Sequence, residues 1–217
     1  MDAKPNGHEL AKRRRRVRIV SATMMLLREV ELEALSITLV AEHAGVSPAT
    51  VYNLFGNKSS VLKSVFDQDL AHFQAVFNER SGADGLDNFF IALDVATELY
   101  DEQPGLYRAM MYVSGREGNL YAEISKPRVD FWCRLVAAAR QSGRLRRDTD
   151  DAETGATLSF LARGGLSHWA EGMITTDELR RKLKVGFSLV LAAVAKPESA
   201  ARLRALRQAS LARLQAD

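Results

Sequence analysis

The sequence of 217 residues is poor in cysteine, proline and long apolar runs, and each scarcity excludes a class of protein. A single cysteine, Cys133, excludes a disulfide-stabilised scaffold and indicates a reducing compartment. No apolar run approaches the roughly 20 residues that a membrane-spanning helix needs. The polar segment 1–10 lacks the apolar stretch of a secretory signal. We therefore expect a soluble, cytoplasmic protein that has no membrane partner.

Signatures of catalysis and of metal binding are also missing. The four histidines show no metal-ligand spacing with one another or with Cys133; they are His8, His43, His72 and His168. The sequence contains no nucleophile elbow, no phosphate-binding loop of the Walker type and no zinc-protease motif. We therefore expect no enzymatic activity, no bound metal and no cofactor.

The hydrophobic share of 47% is sufficient for a buried core, and its spacing favours helices. Apolar residues recur every three or four positions, whereas no segment alternates as a strand would. The sequence predicts an all-α protein. Its helices are expected near residues 9–31, 37–44, 48–54, 58–79, 87–101, 105–114, 120–142, 151–171, 176–195 and 198–214.

The positive charge is concentrated near the N-terminus. Residues 1–63 contain 10 Lys and Arg against 6 Asp and Glu, whereas residues 64–217 contain 20 against 21. Most of the excess is one run, formed by Lys12, Arg13, Arg14, Arg15, Arg16 and Arg18. Such a run either contacts the phosphates of a nucleic acid or forms a solvated helix face.

The segment Ile37–Phe55 has the pattern of a helix-turn-helix. Two short helical patterns are separated by a turn in which Gly45 supplies the left-handed residue. Ser47 followed by Pro48 is a typical N-cap for the second helix. A structural helical hairpin that binds no DNA has the same spacing and is the alternative interpretation.

The second of these helices has an unusual composition for a solvated surface. It offers short or uncharged side chains, namely Pro48, Ala49, Thr50, Tyr52 and Asn53. Methyl groups of Ala and Thr can contact thymine, and Asn can pair with adenine in the major groove. The neighbouring arginine run supplies the phosphate contacts that position such a reading helix. Together the two features favour a DNA-binding domain.

Residues 10–63 resemble the DNA-binding domain of the TetR family of bacterial transcriptional regulators. The resemblance lies in the segment V-A-E-H-A-G-V-S from Val40, the segment T-V-Y-N-L-F-G-N-K from Thr50, and Leu62. It implies a three-helix N-terminal domain, a connecting helix, and an all-helical C-terminal domain that dimerises and holds a ligand pocket. Leu39 departs from the family pattern, which usually has a polar or acidic residue there.

The resemblance also implies roles for individual residues. Tyr52 and Lys58 would contact phosphates, Ser47 to Asn53 would enter the major groove, and Ser36 would cap a helix beside the DNA backbone. Together with the basic run, the predicted DNA-binding residues are Arg14, Arg15, Arg18, Ser36, Thr38, Ser47, Pro48, Ala49, Thr50, Tyr52, Asn53 and Lys58.

We accordingly divide the chain into three parts. Residues 1–57 form an N-terminal arm and the helix-turn-helix domain, and residues 58–80 form the connecting helix. Residues 81–217 form the helical ligand-binding and dimerisation domain, which ends in a basic tail helix. That tail helix either packs on the body or is mobile, and its apolar stripe is too thin to favour a membrane surface.

Large, soft side chains cluster between residues 99 and 135, and they suit an apolar ligand site. An ordinary hydrophobic core is the alternative for any one of them. The predicted ligand-binding residues are Phe66, Phe90, Leu106, Tyr107, Met110, Met111, Phe131, Trp132, Phe160, Arg163, His168 and Trp169.

Two consecutive helices, 151–171 and 176–195, combine broad apolar faces with small residues. Such helices can pair with their two-fold mates as a four-helix bundle, or they can fill the protomer's own core. The paired glycines Gly164 and Gly165 suggest close approach of another helix. The predicted dimer interface comprises Ala156, Phe160, Gly164, Leu179, Leu183, Gly186, Phe187, Val190 and Val194.

These patterns predict a homodimeric, ligand-responsive DNA-binding regulator. Its most favoured form is a repressor that a small, largely apolar effector releases from a palindromic operator, although activation fits the same pattern. The partners expected are double-stranded DNA, a second copy of the chain and the effector. Two other classes are an all-helical enzyme and an interaction module whose helix-turn-helix does not bind DNA.

Overall fold

The computed structural model describes residues 7–116 and 118–214, and this part of the chain is helical, as predicted. One isolated antiparallel bridge joins Leu145 to Ala195. Among the described helices, none is both long and apolar enough to cross a membrane. The helices are α1 Gly7–Glu29, α2 Ile37–His43, α3 Pro48–Phe55, α4 Lys58–Arg80, α5 Asp87–Glu102, α6 Pro104–Arg116, α7 Gly118–Gln141, α8 Asp151–Ala170, α9 Thr176–Val194 and α10 Pro197–Leu214.

Local capping explains why several helices begin where they do. The carboxylate of Asp150 accepts the N–H groups of Ala152 and Glu153 at 3.0 Å, which caps α8. The hydroxyl of Thr175 accepts the N–H of Glu178 at 3.2 Å and caps α9. These bonds satisfy amide groups that have no partner within their own helix, so the predicted starts of α8 and α9 are confirmed.

The chain forms two compact units, each described by itself. The first comprises the described residues up to Asp69 together with the segment Gly105–Tyr121, and the second comprises Leu70–Pro104 and the residues from Ala122 onward. The division passes through α4, which covers the predicted connecting helix. It also places α6 with the first unit, although the sequence suggested a place for α6 in the C-terminal domain.

The first unit packs α1 to α3 and the first part of α4 around a core of aliphatic and aromatic side chains. Its buried members include Ile19, Leu26, Leu27, Val40, Ala41, Val51, Phe55, Val61, Leu62, Val65 and Phe66. Helix α6 is joined to this core at two points. Gly105 lies so close to α1 that a Cβ atom there would be 1.8 Å from the carbonyl oxygen of Leu27. The buried hydroxyl of Tyr107 donates a 2.6 Å hydrogen bond to the carboxylate of Asp69.

The second unit has a core rich in aromatic rings. Phe73 and Phe77 each contact Phe131 edge to face at 5.1 Å, and Trp132 contacts Phe187 at 4.9 Å. This packing links α4, α7 and α9, and such ring pairs stabilise a core beyond their buried area.

Helix α10 is packed on the second unit, so the packed alternative for the tail helix is the one observed. Leu203 is buried, and the guanidinium of Arg202 bonds Asp84 at 3.0 Å and Asp87 at 2.5 Å. Burial disfavours the charge on Asp84, but the N–H of Leu86 and the guanidinium groups of Arg144 and Arg202 outweigh it and lower the pKa of that carboxyl. The ion pairs therefore favour docking of α10 at pH values where Asp84 is ionised.

Candidate nucleic-acid interface

The turn between α2 and α3 is fixed by backbone hydrogen bonds. Gly45 has φ of +60°, the left-handed region that glycine adopts without strain. Its N–H donates to the carbonyl of Glu42 at 3.1 Å, and the N–H of Val46 donates to the carbonyl of Ala41 at 3.0 Å. This pair of bonds ends α2 in a Schellman motif and turns the chain into α3. The predicted role of Gly45 is confirmed.

Helix α3 begins at the predicted cap. The hydroxyl of Ser47 accepts the N–H of Thr50 at 3.2 Å and lies 2.9 Å from the hydroxyl of Thr50. Pro48 occupies the first helical position, where a missing N–H costs nothing. Val51 and Phe55 point into the core of the first unit.

The opposite face of α3 is open. Pro48, Ala49, Tyr52 and Asn53 are exposed, and 54% of the Tyr52 surface is accessible. None of these four side chains carries a formal charge, so a groove edge can approach the helix closely. Four of the predicted DNA-binding residues are therefore exposed on α3, whereas Thr50 is half-buried.

Helix α2 begins with an N-cap at Ser36, but it lacks the second bond of a capping box, in which a side chain three residues later accepts the N–H of the cap residue. The hydroxyl of Ser36 accepts the N–H of Leu39 at 3.1 Å, although Leu39 offers no side-chain acceptor in return. Thr38 is exposed in the first turn. The departure at Leu39 therefore leaves the cap at Ser36 intact.

The basic residues of α1 differ in their surroundings. Arg14 and Arg18 are exposed and Arg15 is half-buried. Arg16 instead donates a hydrogen bond to the carbonyl oxygen of Leu54, and its guanidinium lies 4.2 Å from the ring centroid of Phe55. Arg16 thus ties α1 to the end of α3, a role that the sequence did not reveal.

Lys58 has a bond within the first unit as well. Its ammonium donates a 2.8 Å hydrogen bond to the carbonyl of Leu32, which ties the start of α4 to the segment after α1. Asn57 caps that start by accepting the N–H of Ser60 at 2.8 Å. The phosphate contact predicted for Lys58 stays a prediction.

Residues 19–65 match the family model of bacterial regulatory proteins, tetR family. This segment of the chain is therefore similar to the DNA-binding domain of that family. No curated protein matches the chain significantly. The family that this segment matches is one of bacterial regulatory proteins.

Solved structures share the TetR-family fold along most of the chain. A TetR transcriptional regulator from Rhodococcus sp. RHA1 is 22% identical, with 83% of this chain and 97% of that chain covered and a TM-score of 0.68. FadR of Thermus thermophilus, a repressor in complex with lauroyl-CoA, is 23% identical. The match covers 82% of this chain and 93% of that chain, with a TM-score of 0.66. SmeT, the repressor of a multidrug efflux pump of Stenotrophomonas maltophilia, is 20% identical. The match covers 85% of this chain and 92% of that chain, with a TM-score of 0.66.

The predicted ligand-binding residues are distributed between the two units. In the first unit Phe66, Leu106, Tyr107 and Met110 are buried and Met111 is half-buried. In the second unit the buried members are Phe90, Phe131, Trp132 and Trp169. The indole N–H of Trp169 donates to the hydroxyl of Thr176 at 2.9 Å.

Three of the predicted ligand-binding residues lie on the surface and do not line an interior site. Phe160 is 73% exposed, and Arg163 and His168 are also exposed. The reason is their direction on α8, because residues two apart on a helix point about 200° from each other. Leu158 and Leu166 face the core, so Phe160 and His168 face away from it.

Three residues of the predicted dimer interface are not available at the surface of the protomer. Leu179, Leu183 and Phe187 are buried in the protomer's own core, at 0%, 5% and 0% exposure. A Cβ atom on Gly165 would lie 2.7 Å from Leu179 and 3.1 Å from Leu183, so α8 and α9 approach closely within one protomer. The apolar stripe of α9 therefore faces α8 and the core.

The other predicted interface residues lie at or near the surface of α8 and α9. Phe160 and Gly164 are exposed, and Ala156, Gly186, Val190 and Val194 are half-buried. Leu189, which the sequence pattern did not single out, is 49% exposed. It lies two residues after Phe187 and two before Leu191, which are both buried, so it points about 200° away from each of them.

Proposed function

We propose that the chain is a homodimeric regulator that binds a palindromic operator and is released by a small apolar effector. The observation that carries this proposal is the open face of α3. Uncharged side chains project there from a helix that is fixed by the Ser47 cap and the Gly45 turn. The chemistry of these groups suits base edges in the major groove.

Dimerisation is supported by the apolar surface of α8 and α9. Phe160 and Leu189 are exposed apolar side chains, and a Cβ atom on Gly164 would meet no atom within 4 Å, so another helix can approach α8 closely there. A two-fold dimer reads a palindrome when its recognition helices lie about one DNA turn apart, roughly 34–36 Å. We therefore propose that two copies pair through Ala156, Phe160, Gly164 and Leu189.

The effector would act by linkage. A ligand that binds better to a conformation with a different spacing of the recognition helices weakens DNA binding by its differential affinity. In the repressor form that we propose, the chain blocks transcription while it is bound to the operator, and release by the effector restores transcription. The aromatic and aliphatic composition of the predicted site suits an apolar ligand. Lauroyl-CoA is a reasonable first ligand to test, because FadR of Thermus thermophilus is in complex with it.

The test is selection of DNA by the full chain from a random duplex library and from the region beside its own gene. Gel shifts then compare the selected duplex with a scrambled one at the same salt concentration. We expect a palindromic sequence, a shift at dimer stoichiometry, and at least a 10³-fold preference, as is typical of specific binding. Equal affinity for both duplexes would contradict the proposal. Acyl-CoA thioesters of graded chain length are then tested for release of the complex.

A further inference from the structure

The helix-turn-helix of the first unit has no basic side chain of its own. From residue 29 to residue 57 the sequence contains no Lys and no Arg, although it contains four Glu. Arg or Lys bound to the O6 and N7 atoms of guanine is the commonest specific contact between a protein and a base. Helix α3 also lacks Asp and Glu, which accept the amino group of cytosine. The face of α3 therefore lacks the usual partners of a G·C pair.

The two cations that contact this segment are bonded to its backbone. Arg16 donates to the carbonyl of Leu54, and its guanidinium lies 4.2 Å from the ring centroid of Phe55. The ammonium of Lys58 donates to the carbonyl of Leu32 at 2.8 Å. Both groups thus hold the domain together at sites where they do not extend the open face of α3.

The hydroxyl groups at the start of α3 are used within the cap. The hydroxyls of Ser47 and Thr50 lie 2.9 Å apart, and that of Ser47 also accepts the N–H of Thr50 at 3.2 Å. A free hydroxyl can contact more than one kind of base, so this pairing removes an unselective contact. The methyl group of Thr50 is the part of its side chain that has no polar role in the cap.

Asn53 carries the amide on the exposed face of α3. Among the described residues, no group bonds the side chain of Asn53. An amide offers a donor and an acceptor side by side, which matches the N7 and amino group of adenine. The exposed Ala49 lies one turn earlier on the same face, at a Cβ distance of about 5–6 Å. Because base pairs are about 3.4 Å apart, the two side chains reach pairs at most two steps apart.

We propose that α3 selects A·T base pairs, so that each operator half-site holds A·T pairs where α3 enters the major groove. Asn53 pairs with an adenine and is the specificity-determining residue. The methyl groups of Ala49 and Thr50 contact a thymine methyl no more than two base pairs away. This inference rests on the proposed DNA binding and names the class of operator that it selects.

The test removes single groups from the DNA of the operator selected above. Uracil in place of thymine lacks only the methyl group, and 7-deazaadenine lacks only the N7 acceptor. Fluorescence anisotropy measures Kd as each A·T pair is modified in turn. We expect one 7-deazaadenine to weaken binding about fivefold or more, because it loses half of a paired contact. Uracil within two base pairs of it should weaken binding about threefold or more, as for the burial of one methyl group.

Protein variants assign these effects to side chains. Asn53→Ala should bind the 7-deazaadenine and adenine operators alike. Asn78→Ala is the matched control, because it makes the same change at an exposed position of α4 in the second unit, and it should keep the full effect. The double variant A49G/T50S should bind the uracil and thymine operators alike, while the serine retains the hydroxyl bond to Ser47. Circular dichroism checks that each variant is folded.

Three outcomes would overturn the inference. One is a selected half-site in which 7-deazaguanine weakens binding and no modified A·T pair does. Another is no effect of any modified base, and the third is an equal 7-deazaadenine effect in Asn53→Ala and the unmodified protein. In each case selective binding by the unmodified protein leaves the proposed function standing. Absence of selective binding by that protein would contradict both proposals.

Discussion

The guanidinium of Arg16 joins the middle of α1 to the end of α3 by a hydrogen bond to the carbonyl of Leu54. The same group lies 4.2 Å from the centroid of the Phe55 ring. Two interactions between residues distant in sequence thus set the position of the proposed recognition helix against the helix that carries the basic run. One arginine in a run of similar residues has a structural role, whereas Arg13, Arg14 and Arg18 are exposed.

Replacing Arg16 by methionine should destabilise the first unit. The variant lacks a hydrogen bond from a charged group and a cation–π interaction at a half-buried site, so we expect a decrease of about 1–2 kcal/mol in the free energy of unfolding. Denaturant titration followed by circular dichroism measures the change. Arg13→Met is the matched control and should stay within about 0.5 kcal/mol, because Arg13 is exposed. Equal decreases in the two variants would contradict the structural role of Arg16.

Replacing Ser47 by aspartate should separate stability from DNA binding. Asp is as good an N-cap as Ser, so the unfolding free energy should change by less than about 0.5 kcal/mol. The new carboxylate lies at the proposed DNA surface and repels phosphates, so operator affinity should fall at least tenfold. Denaturant titration and fluorescence anisotropy measure the two effects. Unchanged affinity would place Ser47 away from the DNA.

Replacing Gly105 by alanine should disturb the packing of α6 against α1. The added Cβ would lie 1.8 Å from the carbonyl oxygen of Leu27, and backbone must move to admit it. We expect a cost of about 2 kcal/mol or more in the free energy of unfolding, as for other overpacked sites. Gly82→Ala is the control, because no atom lies within 4 Å of its Cβ position. Similar stability of both variants would mean that the two helices separate easily.

Replacing Phe160 by glutamate should convert the dimer into monomers without loss of folding. A charge would be buried in the proposed interface of the dimer, whereas the same side chain is exposed in the protomer. Sedimentation equilibrium measures the mass, and circular dichroism checks the helix content. Met173→Glu is the control, since Met173 is 66% exposed in the loop before α9. A dimer that persists in F160E would exclude Phe160 from the interface.

The sequence predicts features that depend on neighbouring residues. The cap at Ser47, the left-handed Gly45 and the start of α9 at Thr175 follow from groups that bond or turn the backbone within a few residues of themselves. Periodicity likewise predicts the helices that the described residues form, because a core-facing stripe repeats every three or four residues.

Contacts between residues that are distant in the sequence cannot be predicted from local patterns. The stripe through Leu183 shows that one face of α9 is buried, but it does not show whether α8 or a second protomer covers it. The structure places Leu183 in the protomer's core and Phe160 at the surface. Similarly, nothing local distinguishes Arg16 from Arg14, since the carbonyl of Leu54 lies 38 residues away along the chain.

Selective DNA binding through the face of α3 is the central claim, and the double variant Y52A/N53A tests it most directly. Competition anisotropy measures the ratio of the affinities for the selected operator and for a scrambled duplex. The double variant, the unmodified protein and the Met173→Ala control are measured in parallel. A good side-chain pairing with a base edge is worth about 1–3 kcal/mol of discrimination. We predict that the ratio falls at least tenfold while dimer mass and helix content are retained. An unchanged ratio in the folded, dimeric double variant would contradict the claim.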